Sequence, residues 1–560
     1  MRPNRYFMMP KKPLRRLRLP GMLLVILVFG VGFKQLGDYF EVSRNMEIFG
    51  KLYIELNQTY VDEPDPTGLM RTAIDSMLAS LDPYTNYFSE SQIDESKLIR
   101  TGQYSGIGAE LGKRQGKVLI LQLFEDGPAD KGGLQVGDEL VQIDNIEISE
   151  GKRSLEEIET ILSGERGSAV RLLIRKPKGT ALVEKTVIRG GQNEAEKENV
   201  PFFGMVNDTV GYILLSGFTQ NAGGEVADAL TKLRQENQAL NRLILDLRSN
   251  PGGILQEAVN IVNIFVPQGE LVAEMRGRTH DTQRKFHTMT TPLDEDLPLA
   301  VLVNGRSASA SEIVSGAIQD LDRGVIVGQR SFGKGLVQNF RPLVSNTQMK
   351  ITIAKYYIPS GRCIQAIDYF DEGKDRESYT AFQTKNGRTV YDGAGVYPDV
   401  PVEHPPLKPV TKALVDQGLI FDFVTVFSGV RKEIPGPREY EVSDETYDAF
   451  LLFVREQGFT FDTQTEAQLE KVRQALTANG YSTEDMQNTL GKLESQLQQQ
   501  KAADLETNAE EIKALIKEEI ISRYYYKQGV LLASFEDDPD ILTALEVLND
   551  GQRYREILSP

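Results

Sequence analysis

Leu299-Ala-Val-Leu-Val303-Asn-Gly-Arg-Ser-Ala-Ser309-Ala-Ser-Glu-Ile313 runs from an apolar stretch through a small-residue turn into an amphipathic segment, and Lys334 of Ser331-Phe-Gly-Lys334-Gly-Leu-Val-Gln338 lies 25 residues beyond Ser309. Strand, turn and helix in that order form one unit of an α/β layer. The pattern places Ser309 at a helix start, where main-chain N–H groups point outward without partners. A hydroxyl there is well placed to attack a carbonyl. Histidine is not a ready base, because the chain has only His280, His287 and His404, none beside a Ser or Cys motif. Lysine remains, and Lys334 is the candidate.

The same alternation extends over residues 205–405. It predicts strands at Val210–Leu215, Arg242–Leu247, Leu299–Val303 and Gly324–Val327, and helices at Gly223–Gln235, Leu255–Phe265 and Ser309–Gln319. The expected α/β domain spans 191–405. Before it, 98–190 reads as short strands with Gly-rich turns, with a helix at Ser154–Leu162 and strands at Val118–Phe124 and Ala169–Arg175. Residues 41–97 read as helices, the N-terminal helical part of the catalytic region, broken at Asp82-Pro83, after which aromatic residues begin a packed turn. Past 406 the chain turns helical and polar to residue 560, and is expected to be a solvated helical appendage or a contact surface. At 560 residues the chain exceeds one ordinary core, and 40% hydrophobic with 26% charged residues is globular. The net charge of −17 disfavours nucleic acid as a partner. Residues 1–40 form a basic leader and signal-anchor: the first 19 residues hold seven Arg or Lys and no acid, and Pro20–Phe33 gives 14 residues without a charge. An uncleaved membrane helix or a signal sequence is expected there, with the body outside the cytoplasm. The single cysteine, Cys363, reads as a small buried hydrophobe.

To accept a proton from Ser309, Lys334 must be neutral. Moving its pKa from about 10.4 towards 7 takes roughly 4–5 kcal/mol of differential destabilisation of the ammonium, which burial supplies. Gly333 and Gly335 allow close backbone packing, Phe332 and Leu336 are candidates to exclude water, and Gln338 is a neutral group suited to orient the amine. Leu243-Ile-Leu-Asp246-Leu-Arg248-Ser-Asn-Pro251-Gly252-Gly253-Ile254 offers oxyanion donors at Gly252 or Gly253, joined by the N–H of Ala310. Asp320 is too distant for a triad acid, since 11 residues of continuous helix from Ser309 span about 16 Å. Ser331-Phe-Gly-Lys334 also matches the S-x-x-K of penicillin-recognising enzymes, but there the Ser opens a helix, whereas Gly335 and a β-like run follow here.

The segment 98–190 resembles a PDZ domain, through Gly106-Ile107-Gly108 and Ala129-Asp-Lys-Gly-Gly-Leu134 followed by Gly137-Asp138. In such a domain Gly106, Ile107 and Gly108 supply consecutive N–H groups as a nest for a terminal carboxylate. With Leu81-Asp-Pro, Leu245-Asp-Leu-Arg-Ser-Asn-Pro-Gly-Gly253, Ser307-Ala-Ser-Ala-Ser-Glu312, Gly333-Lys-Gly335, Tyr357-Ile-Pro-Ser-Gly361 and Val396-Tyr-Pro-Asp399, the chain resembles the C-terminal processing peptidases, or tail-specific proteases. The resemblance implies a serine endopeptidase with Ser309 as nucleophile, Lys334 as base, Gln338 as assisting amide and a PDZ domain that binds the substrate's free C-terminus. Tyr84 stands where the family often has His, and 406–560 exceeds the core family. The expected fold is an α/β catalytic domain with an inserted PDZ-like β-rich domain, a helical C-terminal extension and an N-terminal membrane helix or signal. No metal and no cofactor is called for. Expected partners are proteins or peptides with exposed apolar C-termini and the membrane; an adaptor or homo-oligomer is left open. The expected location is extracytoplasmic, on the periplasmic side, anchored in the cytoplasmic membrane, or secreted or periplasmic after signal cleavage. The rivals are a PDZ scaffold without catalysis, which intact Ser309, Lys334 and Gln338 oppose, and a small-molecule acyl hydrolase, which lacks its G-x-S-x-G elbow here.

Overall fold

The computed structural model describes residues 40–90, 104–148, 153–177, 179–190, 198–367, 369 and 379–560. The chain divides into two compact units, Met1–Pro83 and Tyr84–Pro560. The first is helical where described, over 40–59 and Pro66–Ala79, the latter capped by Asp65, which accepts from the Thr67 N–H at 3.0 Å. The leader and Pro20–Phe33 lie outside the described residues, among which no single helix is long and apolar enough to cross a membrane. The aromatic stretch after Asp82-Pro83 departs from the expected turn: Asn86–Phe88 is a strand, antiparallel to Gln348–Tyr357. That sheet also holds Leu336–Pro342, Leu271–Gly277 and Arg284–His287.

A six-stranded sheet carries the second unit's main core, in the order Phe202–Met205, Val210–Leu214, Arg242–Asp246, Leu299–Val303, Val325–Gly328 and Val400–Pro401. The first pair is antiparallel and every later pair parallel. From Val210–Leu214 to Val325–Gly328 the strands advance in one direction across the sheet. Right-handed crossovers therefore deliver every connecting helix to the same face. Helices Ala222–Glu236, Leu255–Phe265 and Ala310–Asp320 cover that face, packing on Ile213, Leu245, Val301 and Ile326.

The opposite face is equally apolar, with Tyr212, Ile244, Leu302 and Val327 buried. The C-terminal extension covers it: Phe535, Ile541, Ala544 and Val547, on and before helix Pro539–Asn549, pack there. The extension is thus no solvated appendage. It also has a core of its own around Phe423, Phe450 and Ile516, and a parallel sheet needs both faces covered.

The 98–190 segment folds as a five-strand antiparallel run, Ala109–Arg114, Lys117–Leu123, Glu139–Ile143, Ala169–Arg175 and Leu182–Ile188, with Ile146–Glu147 paired to the third. Helix Leu155–Leu162 carries a capping box in which Ser154 and Glu157 exchange hydrogen bonds of 2.7 and 3.1 Å. Its apolar side, Ile158 and Leu162, enters the core. The extension touches this domain through the Arg114–Asp422 pair at 3.0 Å and the Lys527–Glu110 pair at 2.6 Å. Tyr526 packs on its core from a break in helix Ala509–Ser534, at φ 53° and ψ −160°.

Candidate active site

The loops that follow the carboxyl ends of three neighbouring parallel strands, at 247–254, 304–309 and 329–335, converge on one edge of the sheet, where open α/β layers bind ligands. Ser309 is the N-cap of Ala310–Asp320 and stands at φ 58°, ψ −110°. A left-handed φ on a residue with Cβ is strained and persists only when its surroundings hold it. The Ser309 N–H donates to Glu312 Oε2 at 2.8 Å, and the Glu312 N–H donates to the Ser309 carbonyl at 3.0 Å. The hydroxyl is half-buried at the helix start, beside the Glu312 N–H of this capping box. Gly252 presses on it from the neighbouring loop. A Cβ at Gly252 would lie 2.6 Å from the Ala308 carbonyl oxygen and 2.8 Å from Ser309 Cβ, so no side chain fits there.

Glu312 joins the two loops. Fully buried, its Oε1 accepts from the Ser331 hydroxyl and the Gly333 N–H, each at 2.6 Å, and the Oε2 that holds Ser309 also accepts the Lys334 N–H at 2.8 Å. Burial pushes its carboxyl above the ordinary value, against the downward pull of these four hydrogen bonds. One carboxylate oxygen therefore binds the main chain of both Ser309 and Lys334.

Lys334 Nζ lies 4.7 Å from the centre of the Tyr84 ring and has no hydrogen-bond or ion-pair partner among the described residues. Its pKa is lowered first by burial and second by the charge of Lys350, with Glu312 opposing. No hydrogen bond joins Ser309 Oγ to Lys334 Nζ, and the Gln338 amide donates to Thr352 Oγ1 at 3.4 Å rather than meeting the lysine. Gly333 and Gly335 are packed as expected, since a Cβ would lie 2.4 Å from Ala366 Cβ and 2.6 Å from the Gln365 nitrogen respectively. Leu336 is buried, but Phe332 is 51% exposed and turns to solvent. Tyr84 covers the amine in its place.

The glycine turn separates the two oxyanion candidates. The Gly252 N–H donates to Asn250 Oδ1 at 2.9 Å. Those of Gly253 and Ala310 have no acceptor among the described residues. In the β-rich domain, the carbonyls of Gly106, Ile107 and Gly108 accept from Gly190, Ala129 and Phe124, while their three N–H groups have no acceptor among the described residues. The strand that follows, Ala109–Arg114, is the edge of its sheet.

Comparison with known proteins gives the family. Residues 209–369 match the family described as "Peptidase family S41", 120–176 match "PDZ domain", and 410–548 match "Probable PDZ-protease, C-terminal helical domain". A carboxy-terminal-processing protease of Bartonella bacilliformis is 33% identical over 326 residues, which is 58% of this chain and 73% of the relative. The carboxy-terminal processing protease CtpB of Bacillus subtilis is 32% identical over 345 residues, 60% of this chain and 70% of the relative. The chain belongs to the carboxy-terminal-processing proteases of peptidase family S41. It is a serine-type endopeptidase with a PDZ domain and a C-terminal helical domain, and its substrates are proteins. Among solved structures, the photosystem II D1 C-terminal processing protease is 25% identical, covering 63% of this chain and 92% of that one with a TM-score of 0.37.

Within this protease, Ser331 is fixed as a structural residue: besides donating to Glu312, its hydroxyl accepts the Val396 N–H at 2.7 Å. Asp320 is paired with Arg362 at 2.8 Å in the core, where both are almost fully buried. Cys363 is buried, as expected. Sequence reasoning gave Glu312 no role, although Ser309-Ala-Ser-Glu312 fits the S-x-x-E signature of a helix start. It also gave none to Asp538 and Asp540, whose charges meet Arg248 of the glycine turn's approach at 2.7 and 2.9 Å.

Proposed function

We propose that this protease cuts with Ser309 as nucleophile and Lys334 as general base, and selects substrates by a free C-terminus seated on Gly106–Gly108. Neutral Lys334 takes the Ser309 proton as Oγ attacks the scissile carbonyl. The N–H groups of Gly253 and Ala310 receive the oxyanion, worth roughly 3–4 kcal/mol of barrier per donor set of this kind. Collapse expels the amine with the proton carried by Lys334, and the same lysine activates the water that frees the acyl group. The observation that carries this reading is the Glu312 carboxylate: it holds Ser309 and Lys334 by their main chain at 2.8 Å each, while the Lys334 amine has no hydrogen-bond or ion-pair partner among the described residues. Catalytic hydrogen bonds are often long in a free enzyme and tighten with substrate. Gln338 orients the amine once substrate draws it off the Tyr84 ring. The basic leader and Pro20–Phe33 anchor the chain in the cytoplasmic membrane with its body outside.

Ser309→Ala and Lys334→Ala are each expected to abolish peptide-bond hydrolysis with the fold retained, since a dyad fails when either member goes. Residual cleavage by a cooperatively folded Ser309→Ala protein would refute the assignment.

A further inference from the structure

Arg248 lies two residues past the end of the strand Arg242–Asp246 and opens the turn that reaches Gly253. Its Nε and Nη2 fork onto Asp246 at 2.7–3.1 Å, and Asp246 also accepts from the Tyr212 hydroxyl at 2.6 Å. The remaining nitrogen, Nη1, faces the helical domain, where it meets Asp538 Oδ2 at 2.7 Å and Asp540 Oδ2 at 2.9 Å. Asp540 is further held by His404 Nε2 at 2.9 Å. The contact of Arg248 with the two aspartates is largely desolvated: the side chains of Arg248 and Asp538 are each 16% exposed and that of Asp540 only 2%.

The rest of the turn is anchored from the other side. The Ser249 N–H donates to Asn304 Oδ1 at 2.9 Å, and the Asn250 carbonyl accepts from the Ala308 N–H at 3.0 Å and the Ser311 hydroxyl at 2.9 Å. Asn250 then takes the Gly252 N–H, which leaves Gly253 as donor. The oxyanion turn is thus gripped between the serine loop and the helical domain. Ser249 stands at φ 57°, a conformation its neighbours must enforce.

We propose that Asp538 and Asp540 of the helical domain are positioning residues for the oxyanion hole, acting through Arg248. This rests on the Ser309 reading above. Without them Nη1 has no partner in a dry site, the guanidinium turns towards water, and the turn that aims the Gly253 N–H is released. A donor misplaced by about 1 Å costs on the order of a hundredfold in rate. Three carboxylates surround a single guanidinium here, and Asp246 keeps Arg248 paired when the other two charges go.

Two paired variants test this in the full chain. Asp538 caps helix Pro539–Asn549 by accepting the Asp540 and Ile541 N–H groups, and Ser and Asn cap as well as Asp does. Asp538→Ser with Asp540→Ser keeps the cap and takes both carboxylates away from Nη1, because a serine Oγ ends one bond short of the aspartate Oδ2. Asp538→Asn with Asp540→Asn keeps cap and neutral acceptors. The Ser pair is expected to lose at least tenfold in kcat on a peptide with a free C-terminus, with KM within twofold, and the Asn pair to recover part of the loss. Parental kcat in a folded Ser pair overturns the inference, as does an equal loss in both pairs that tracks a lowered Tm. Should the Ser pair fail to fold, Asp538→Ser alone is read instead: it leaves Asp540 on Nη1, so a smaller loss of about two- to fivefold in kcat at unchanged KM is expected, and parental kcat overturns the inference. Ser309→Ala run alongside separates the two readings, because cleavage by that variant overturns the nucleophile and not the clamp.

Discussion

Lys334 and Lys350 carry the residue-scale test of the base. The ammonium of Lys334 is disfavoured by burial first and by Lys350 second, so the neutral amine is present at lower pH than in a free lysine, and the ascending limb of kcat/KM moves towards neutrality. Lys350→Met removes the repelling charge, eases protonation of Lys334, and is expected to shift that limb to higher pH. An unmoved profile would show that Lys334 is not the titrating base. Gln338→Glu is expected to move the limb the same way, and further than Gln338→Ala, by adding a carboxylate that favours the ammonium. Ser331→Ala should keep the dyad and most activity, yet lose about 1–3 kcal/mol in denaturant unfolding, because the buried Val396 N–H loses its acceptor. Ser309 and Lys334 were legible because a helix start and flanking glycines are local features. Glu312 was hidden by chemistry that is not local: three of its four donors come from Ser331, Gly333 and Lys334, and a carboxylate buried against them looks in sequence like an ordinary first-turn acid.

At the scale of elements, the N–H groups of Gly106–Gly108, without acceptors among the described residues, and the edge strand after them make a separate prediction. If the N–H groups of Gly106–Gly108 bind a chain end, amidating a substrate's C-terminus removes charge-assisted bonds of roughly 1.5–3 kcal/mol each. Losing one or two of them lowers kcat/KM by about ten- to several-hundredfold, at about 1.4 kcal/mol per decade. Equal cleavage of free and amidated peptides by the intact protease would sink tail reading. The elements themselves were readable wherever periodicity and length agreed: Leu255–Phe265, Leu299–Val303 and Ala169–Arg175 have the bounds their patterns predict. Asn86–Phe88 escaped, since a strand of three residues has no period to read and owes its existence to pairing with remote Gln348–Tyr357. Gly252 and Gly253 could not be told apart in sequence, because the distinction lies in where the Asn250 side chain turns.

Across the whole molecule, the sheet with two apolar faces explains the helical domain. Advancing strands with right-handed crossovers leave one face bare, and the chain covers it with residues 535–548. Phe535, 2% exposed with its ring centre 5.0 Å from that of Tyr212, is the largest piece of that cover. Phe535→Ala is expected to cost about 3–5 kcal/mol, measured by urea unfolding, and a loss under 1 kcal/mol would argue that the face is not buried in solution. The need for a cover was readable from strands such as Leu299–Val303, apolar at every position. Which of the later helices supplies it was not, since several are amphipathic and only shape and the Arg248 contacts decide. The 290 residues between Arg248 and Asp538 also set a timetable. A ribosome adding about 5–20 residues per second finishes the lysine, 204 residues before Asp538, roughly ten to forty seconds before it supplies the carboxylates proposed to steady the oxyanion turn. If the proposed clamp holds, the nascent chain in that interval carries a nucleophile and a base with an unsteadied hole, and full activity is expected only once residue 540 has been made.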